Sequence, residues 1–289
     1  MKLVDILVAV RNEEKNIPEF ITKINELTPE NVDINIIFLE DGSSDGTVEL
    51  LRNLSKNSNN VNYISFENKY GQYAALTFGL IVSKSDAVIT MDVDGGHPIE
   101  TAIGMIKSYL EGNNLVQGHR IVYKRKKFYR TFMSYAYNFF YYLIVGVNFF
   151  KQNVMFRLMD KFTKENFLQN KSWWHIFKTN FRAKDGISSS FIEYSAPERK
   201  FGESKYDFFR LLRLSYKSFF ALLSFKRLMV INLILIGSIY LFTSYVSILL
   251  SILIALVFLM VNISFYMIVN NYPVLKLKII ETSLPEFKK

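Results

Sequence analysis

Short apolar runs alternate with amphipathic segments along the N-terminal two thirds of the chain. Runs of aliphatic residues predict β-strands at 3–10, 34–39, 61–66 and 87–91. Apolar positions at helical spacing predict α-helices at 16–27, 47–55, 73–83 and 99–111. This alternation indicates an α/β domain with a largely parallel sheet, in which ligands bind at the carboxyl ends of the strands.

The pattern changes near the C-terminus, where residues 228–275 contain no charged side chain. A membrane-spanning helix needs about 20 apolar residues, so this stretch predicts two helices joined by a turn at 243–247. A buried hairpin in a soluble core is the alternative, and the length of the stretch disfavours it. Basic residues flank both ends, which predicts that both ends and the N-terminal domain face the cytosol. These residues are Arg210, Arg213, Lys217, Lys226, Arg227, Lys276 and Lys278.

Two further segments predict contact with a membrane surface. Residues 131–150 are uncharged and rich in aromatic side chains, and Asn138 and Asn148 favour an interfacial helix over a membrane span. Residues 206–227 form a basic amphipathic pattern that leads into the uncharged stretch. We therefore predict a cytosolic catalytic domain (1–205), a juxtamembrane helix (206–227), two transmembrane helices (228–271) and a cytosolic tail (272–289).

Composition adds few constraints. The chain has 289 residues, of which 50% are hydrophobic, and a net charge of +9. It contains no cysteine, which excludes disulfides and thiolate ligands. Residues 1–10 lack the pattern of a signal peptide. We predict a multi-pass protein of the cell membrane, with the bilayer as a partner, no nucleic-acid partner, and an oligomeric state that is left open.

Two aspartates follow the fourth predicted strand. Side chains at i and i+2 of a strand point the same way, so Asp92 and Asp94 can converge where Gly95 and Gly96 allow the backbone to turn. Paired carboxylates suit Mg²⁺ or Mn²⁺, which often keep positions open for substrate phosphates. A solvated acidic turn is the simpler alternative for this pair alone.

The second predicted strand also ends in polar residues. Asp41 stands at its tip, and residues 42–47 form a glycine-rich turn before the next helix. Such a carboxylate can accept a hydrogen bond from a nucleobase N–H. The chain contains neither G-x-G-x-x-G nor a P-loop motif, so a dinucleotide or P-loop site has no support.

Together, the motifs of the chain resemble those of the family two glycosyltransferases with a GT-A fold. Among them, the resemblance is to the polyprenyl-phosphate glycosyltransferases, the group that contains dolichyl-phosphate mannose synthase and the bactoprenol glucosyltransferases. It covers nearly the whole chain, and the motifs occur in the order typical of the family. They lie at 10–14, 40–47, 68–75, 91–98, 118–120, 156–160 and 199–206.

The resemblance implies roles for individual residues. It implies that Asp92, Asp94 and Arg120 are catalytic and that Asp92 and Asp94 hold Mg²⁺ or Mn²⁺. The implied donor site comprises Ala9, Arg11, Glu13, Asp41, Ser43, Asp92, Val93, Asp94, Gly96, Arg199 and Lys205. The implied lipid-phosphate site comprises Arg120, Arg130, Arg157 and Ser204. Guanidinium groups bind phosphate in a bidentate manner, which agrees with these roles.

The chain departs from the family pattern at four positions, namely Ala9, Arg11, Gly96 and Met155. The family often has proline, tyrosine, glutamine and an acidic or small residue there. Gly96 removes a side chain that could touch the donor, so these departures bear mainly on the identity of the donor.

The predicted function is an inverting transfer of one sugar from a nucleotide-diphosphate sugar to an undecaprenyl- or dolichyl-type phosphate. The reaction is expected at the cytosolic membrane face, where it would supply cell-surface glycan synthesis. One alternative is a transferase that extends a lipid-linked or surface polysaccharide, but the Q-x-x-R-W motif of processive relatives is missing. Another is a catalytically silent, membrane-anchored binder of nucleotide-sugars.

Overall fold

The computed structural model describes residues 1–121, 139, 155–168, 187–195, 225–242, 248–270 and 278–284. The strands are β1 (Lys2–Val10), β2 (Val32–Glu40), β3 (Val61–Phe66), β4 (Ala87–Met91), β5 (Leu115–Ile121), β6 (Arg157–Asp160), β7 (Ser189–Ser195) and β8 (Ile279–Thr282). The helices are α1 (Ile17–Leu27), α2 (Thr47–Asn57), α3 (Gln72–Val82), α4 (Ile99–Leu110), α5 (Lys161–Leu168), α6 (Phe225–Phe242) and α7 (Ile248–Asn270).

The strands form one mixed sheet in the order β7-β5-β6-β4-β1-β2-β3-β8. Strands β4, β1, β2 and β3 are parallel, whereas β6 and β8 run antiparallel to their neighbours. The eight elements predicted between residues 3 and 111 are all present, with ends that differ by no more than two residues. The prediction of an α/β domain with a largely parallel sheet is confirmed.

Apolar residues on both faces of the central strands explain why the sheet is covered on both sides. Val4, Ile6 and Val8 of β1 belong to one hydrophobic cluster, which also includes buried residues of α1, α2 and α4. Leu7 of the same strand belongs to a second cluster with α3 and α5. Period-two alternation separates the two clusters. This arrangement leaves the carboxyl ends of the strands as the place for a site.

Polar side chains connect three strands to one another near the amino-terminal end of the sheet. Asn35 donates a hydrogen bond to Asp5 (2.9 Å), Asn62 donates to Asn35 (2.8 Å), and Ser283 donates to Asn62 (3.1 Å). We call these four residues the polar ladder. It joins β1, β2 and β3 to the residue that follows β8.

Strand β8 was not predicted, because residues 272–289 were assigned to a cytosolic tail. Strand β8 instead pairs with β3 and closes that edge of the sheet. Glu281 accepts two hydrogen bonds from Arg52 (2.7 and 2.6 Å) and one from the Tyr63 hydroxyl (2.5 Å). Ile279 packs against the α3 side of the core, while Ile280 is exposed. A four-residue strand has too few residues for its alternation to stand out in the sequence.

Helices α6 and α7 occupy the stretch for which two transmembrane helices were predicted. They contact each other, and Leu228 packs with Ile231, Phe265 and Tyr266. Within the described residues, no helix combines the length and hydropathy that a membrane span requires. The prediction of two membrane spans therefore stays a prediction. Most of the predicted interfacial helix (131–150) and of the amphipathic helix (206–227) lies outside the described residues.

Candidate active site

The loops that follow β1 and β2 are linked to each other at the carboxyl edge of the sheet. The Asn12 backbone N–H donates to the Ser43 hydroxyl (3.0 Å), and the Ser44 N–H donates to the Asn12 side chain (2.8 Å). Asn12 adopts a positive φ of 55°, which asparagine tolerates better than most residues. The Arg11 side chain donates to the Gly42 carbonyl (3.2 Å). These contacts bring Arg11 and Ser43, two predicted donor-binding residues, to one place.

Two other predicted donor residues, Ala9 and Glu13, lie beside these loops. Ala9 is near the end of β1 and packs against the α3 side of the core. The Glu13 carboxylate accepts a hydrogen bond from the Asn16 side chain (2.7 Å), and its backbone N–H donates to the Thr47 hydroxyl (3.0 Å). Glu13 thus fixes the start of α1 relative to α2, in addition to its predicted role toward the nucleotide.

Asp41 at the end of β2 is buried, and its carboxylate holds the turn before α3. It accepts hydrogen bonds from the Tyr70 N–H (2.6 Å) and the Gly71 N–H (2.9 and 3.0 Å). Burial raises the pKa of Asp41, and the two backbone N–H groups oppose that rise. The predicted contact of Asp41 with a nucleobase would therefore be made by a carboxylate that the protein already orients.

Asp92 follows the last residue of β4 and is held by contacts on three sides. Its Oδ1 accepts a hydrogen bond from Gln72 Nε2 (2.5 Å), and its backbone N–H donates to His97 Nδ1 (2.9 Å). Its Oδ2 lies 3.6 Å from the same His97 nitrogen, and the Asp92 side chain is 31% exposed. Gln72 was not predicted as a site residue, because a glutamine at the start of a helix gives no signal in the sequence.

Asp94 is held by the glycine turn that follows it. Its Oδ1 accepts the backbone N–H of Gly96 (3.0 Å), and Gly95 between them has a φ of +78°. A Cβ atom on Gly96 would lie 2.9 Å from that same Oδ1, which is closer than side chains allow. Glycine at position 96 is therefore compatible with this orientation of Asp94, and a larger residue would displace the carboxylate. Val93, between Asp92 and Asp94, is buried.

His97 holds the turn that contains Asp92 and Asp94, through its contact with the Asp92 backbone. It is buried, and its ring stacks on Phe156 with a centroid distance of 4.5 Å. Burial lowers the pKa of His97, although the nearby Asp92 and Asp94 carboxylates oppose this. The neutral ring is also what its hydrogen bond requires, since Nδ1 must accept the Asp92 N–H. These contacts make His97 a residue that holds the turn after β4.

The two described arginines of the predicted lipid-phosphate site do not converge. Gln117 of β5 pairs with Arg157 of β6, so their side chains share a face of the sheet. Arg120 lies three residues beyond Gln117 and therefore points to the opposite face, where its charge helps to lower the pKa of His97.

Arg120 and Arg157 also differ in exposure. Arg120 is exposed, whereas Arg157 is buried under Phe167, whose ring centroid lies 5.4 Å from the guanidinium carbon. Burial lowers the pKa of Arg157 to about 10. Of these two arginines, Arg120 is the one whose guanidinium group is accessible from outside the protein.

The remaining predicted residues, Arg130, Arg199, Ser204 and Lys205, lie outside the described part of the chain. In the residues that the structure describes, no three histidine or acidic side chains are grouped as a metal site. Asp92 and Asp94 nevertheless fit a divalent ion that is shared with a substrate. Both carboxylates are partly exposed at one edge, and each has one oxygen fixed by a hydrogen bond. Carboxylate oxygens are ligands that Mg²⁺ and Mn²⁺ prefer.

The fold is an α/β fold of the GT-A type with a mixed sheet. The sequence profile of "Glycosyl transferase family 2" matches residues 5–181, and the chain belongs to this family. A glucosyl-3-phosphoglycerate synthase from Mycobacterium tuberculosis, solved with Mn²⁺ and uridine-diphosphate-glucose, has a similar fold with a TM-score of 0.53. It is 18% identical, and the match covers 76% of this chain and 77% of that protein.

Curated relatives are similar at the level of sequence. The chain is 30% identical over 216 residues to the uncharacterized glycosyltransferase YkcC of Bacillus subtilis. It is 27% identical over 220 residues to an undecaprenyl-phosphate 4-deoxy-4-formamido-L-arabinose transferase of Aeromonas hydrophila. It is 30% identical over 218 residues to a bactoprenol glucosyl transferase of Shigella phage SfV. The matches cover 73%, 75% and 73% of this chain and 65%, 66% and 69% of these relatives, respectively.

Proposed function

We propose that the chain transfers a single sugar from a nucleotide-diphosphate sugar to a polyprenyl phosphate at the cytosolic face of a membrane. The observation that carries the proposal is the pair Asp92 and Asp94 at the carboxyl end of β4, partly exposed beside the oriented Asp41. The names of two relatives, an undecaprenyl-phosphate transferase and a bactoprenol glucosyl transferase, support the class of acceptor.

Different residues of the site bind the nucleoside, the divalent ion and the acceptor phosphate in this reaction. Asp41, with the linked loops at Arg11 and Ser43, binds the nucleoside. Asp92 and Asp94 would hold Mg²⁺ or Mn²⁺, which supplies positive charge to the departing diphosphate. Arg120 is exposed and attracts the phosphate of the acceptor. These groups orient the two substrates, which is a large part of catalysis for a displacement at a sugar carbon.

The acceptor phosphate needs little activation. The second pKa of a phosphate monoester is about 6, so its oxygen is already charged near neutral pH. A general base is therefore not required. One in-line displacement, in which the phosphate oxygen bonds to the anomeric carbon as the nucleoside diphosphate leaves, inverts the anomeric centre.

Contact with a bilayer is part of the same proposal. Residues 228–275 carry no charge. Helices α6 and α7 expose aliphatic side chains, including Leu233, Ile234 and Met260 at 64%, 63% and 60%. Phe265 of α7 packs against the second hydrophobic cluster, which contains Leu7 of β1 and residues of α3, so α7 adjoins the sheet. This proximity supports a lipid-borne acceptor, and the flanking basic residues favour the cytosolic face.

The proposal is tested with the full chain in undecaprenyl-phosphate-containing vesicles, Mn²⁺ or Mg²⁺, and a panel of labelled nucleotide-sugars. We expect one donor to give a labelled monoglycosyl phospholipid with the anomeric configuration inverted. Binding of a donor without product would indicate a silent binder. Product that forms only on an added oligosaccharide primer would indicate a chain-extending transferase.

A further inference from the structure

Three consecutive residues connect the two acidic strand ends of the site. Tyr70, Gly71 and Gln72, which we call the 70–72 bridge, begin at Asp41 and end at Asp92. Asp41 binds the backbone N–H groups of Tyr70 and Gly71. Gln72 Nε2 donates to Asp92 Oδ1 at 2.5 Å. Strand β1 lies between β2 and β4 in the sheet, so the bridge crosses the end of β1.

The bridge has a fixed backbone. Gly71 has a φ of +93°, a conformation that L side chains rarely adopt, and both oxygens of Asp41 accept its N–H. Its carbonyl accepts the N–H groups of Ala74 and Ala75 (3.0 and 3.1 Å). Both alanines are buried, which seats the start of α3 against the sheet. Gln72 is the first residue of that helix, so its side chain starts from a defined position.

The contact with Gln72 completes the restraint on Asp92. The backbone of Asp92 is bound to His97, and its Oδ1 is bound to Gln72, which leaves Oδ2 as the oxygen that neither bond engages. A carboxylate that is held through one oxygen presents the other in one direction. Partners that orient a ligand in this way typically change metal affinity by about 10–100-fold when they are removed.

We infer that Gln72 is a positioning residue that orients Asp92 toward the divalent ion and transmits the position of Asp41 to the ion site. This inference rests on the proposed function, because it assigns the ion to Asp92 and the nucleoside to Asp41. It implies that the nucleoside and diphosphate ends of the donor site are mechanically connected across the end of β1.

The test measures Mn²⁺ binding to the full-length chain by the loss of the EPR signal of free Mn²⁺, without any nucleotide. Gln72→Leu keeps the size of the side chain and removes its donor, so we expect Mn²⁺ affinity to fall about tenfold. The Tm should change by less than about 2 °C, because no core contact is lost. Gln72→Asn is a second test variant. It keeps the amide group but shortens the side chain, so we expect Mn²⁺ affinity to fall as it does in Gln72→Leu.

A turnover measurement separates positioning from damage to the fold. For Gln72→Leu, we expect the Mn²⁺ concentration at half-maximal transfer to rise about tenfold and kcat at saturating Mn²⁺ to stay within about twofold of wild type. Asp41→Asn should weaken Mn²⁺ binding although Asp41 is not a metal ligand. In the double variant the two losses should not multiply, because both act through one route.

The outcomes distinguish this inference from the proposed function. If the wild-type chain binds Mn²⁺ and Gln72→Leu binds it equally well, the inference is overturned while the proposed function stands. A matching loss of Tm and of Mn²⁺ binding in Gln72→Leu would also overturn it, since the role would then be structural. If the wild-type chain binds no Mn²⁺ and transfers no sugar, both are overturned.

Discussion

The two ends of the parallel strands carry similar polar residues and use them in different ways. At the amino-terminal end, the polar ladder of Asp5, Asn35, Asn62 and Ser283 satisfies its members with one another. At the carboxyl end, Asp92 and Asp94 are each anchored through Oδ1 and remain partly exposed. A closed polar network specifies the sheet, whereas an anchored and exposed carboxylate can bind a ligand.

The largest effect should come from changing the carboxyl end of the parallel strands, which we call the open end because Asp92 and Asp94 are partly exposed there. Asp94→Asn keeps the shape of the side chain and removes its charge, so we expect kcat to fall by about 10²–10³-fold. The Tm should be almost unchanged, because Asp94 is partly exposed. The measurement is sugar transfer to undecaprenyl phosphate at saturating Mn²⁺. Unchanged turnover would refute the assignment of Asp94 to the ion.

At the amino-terminal end, which we call the closed end, a substitution in the polar ladder should lower stability and leave sugar transfer unchanged. Asn35 both donates and accepts within the polar ladder, so Asn35→Leu leaves polar atoms of Asp5 and Asn62 unpaired. We expect the free energy of unfolding to fall by about 1–3 kcal/mol and transfer by the folded enzyme to be unchanged. Urea unfolding measures the first quantity. Asn25→Leu is the control, since its bond to Asn60 is exposed and should contribute less than about 0.5 kcal/mol.

A smaller effect at the open end should come from Gly96→Ala. The added Cβ would meet Asp94 Oδ1 at 2.9 Å and move that carboxylate. We expect the Mn²⁺ concentration at half-maximal transfer to rise several-fold, less than the tenfold typical of losing an orienting partner. Gly237→Ala is a matched control, because a Cβ there would meet no atom within 4 Å. An equal response in both variants would contradict the role of Gly96.

The smallest effect should be seen at the β8 edge, and it should depend on pH. The Arg52 and Tyr63 hydrogen bonds lower the pKa of Glu281 from 4.5 to about 2. Because the folded-state pKa is lowered, the stabilising contribution is complete well above pH 4.5 and is lost as the pH falls toward 2. The Tm difference between wild type and Glu281→Gln should therefore be largest near pH 7 and shrink below pH 4.5. A difference that grows on acidification would contradict this account.

Local patterns in the sequence were sufficient for the central part of the fold. The runs at 3–10 and 87–91 are short, rich in aliphatic residues and bounded by polar turns, and these features predict them as strands. The antiparallel strands were missed for a physical reason. Strand β6 spans only Arg157–Asp160 and β8 only Ile279–Thr282, so their pairing depends on partners far away in the sequence.

The candidate site could be predicted only in part from the sequence. The position of Asp92 and Asp94 directly after an apolar run predicts them as site residues. The contact between Gln72 and Asp92 arises from the seating of α3, which no local pattern encodes. The separation of Arg120 from Arg157 likewise depends on the register of β5 against β6. Motifs identify residue types, whereas register decides which of them meet.

The central claim is that the open carboxyl end binds a nucleoside diphosphate through a divalent ion. The most direct measurement is the Tm of the full chain with a set of nucleoside diphosphates, with and without Mn²⁺, for wild type, Asp94→Asn and Asn35→Leu. We predict that one nucleotide raises the Tm of wild type and of Asn35→Leu equally, only when Mn²⁺ is present, and that Asp94→Asn shows no such rise. A rise that is independent of Mn²⁺, or that persists in Asp94→Asn, would contradict the account.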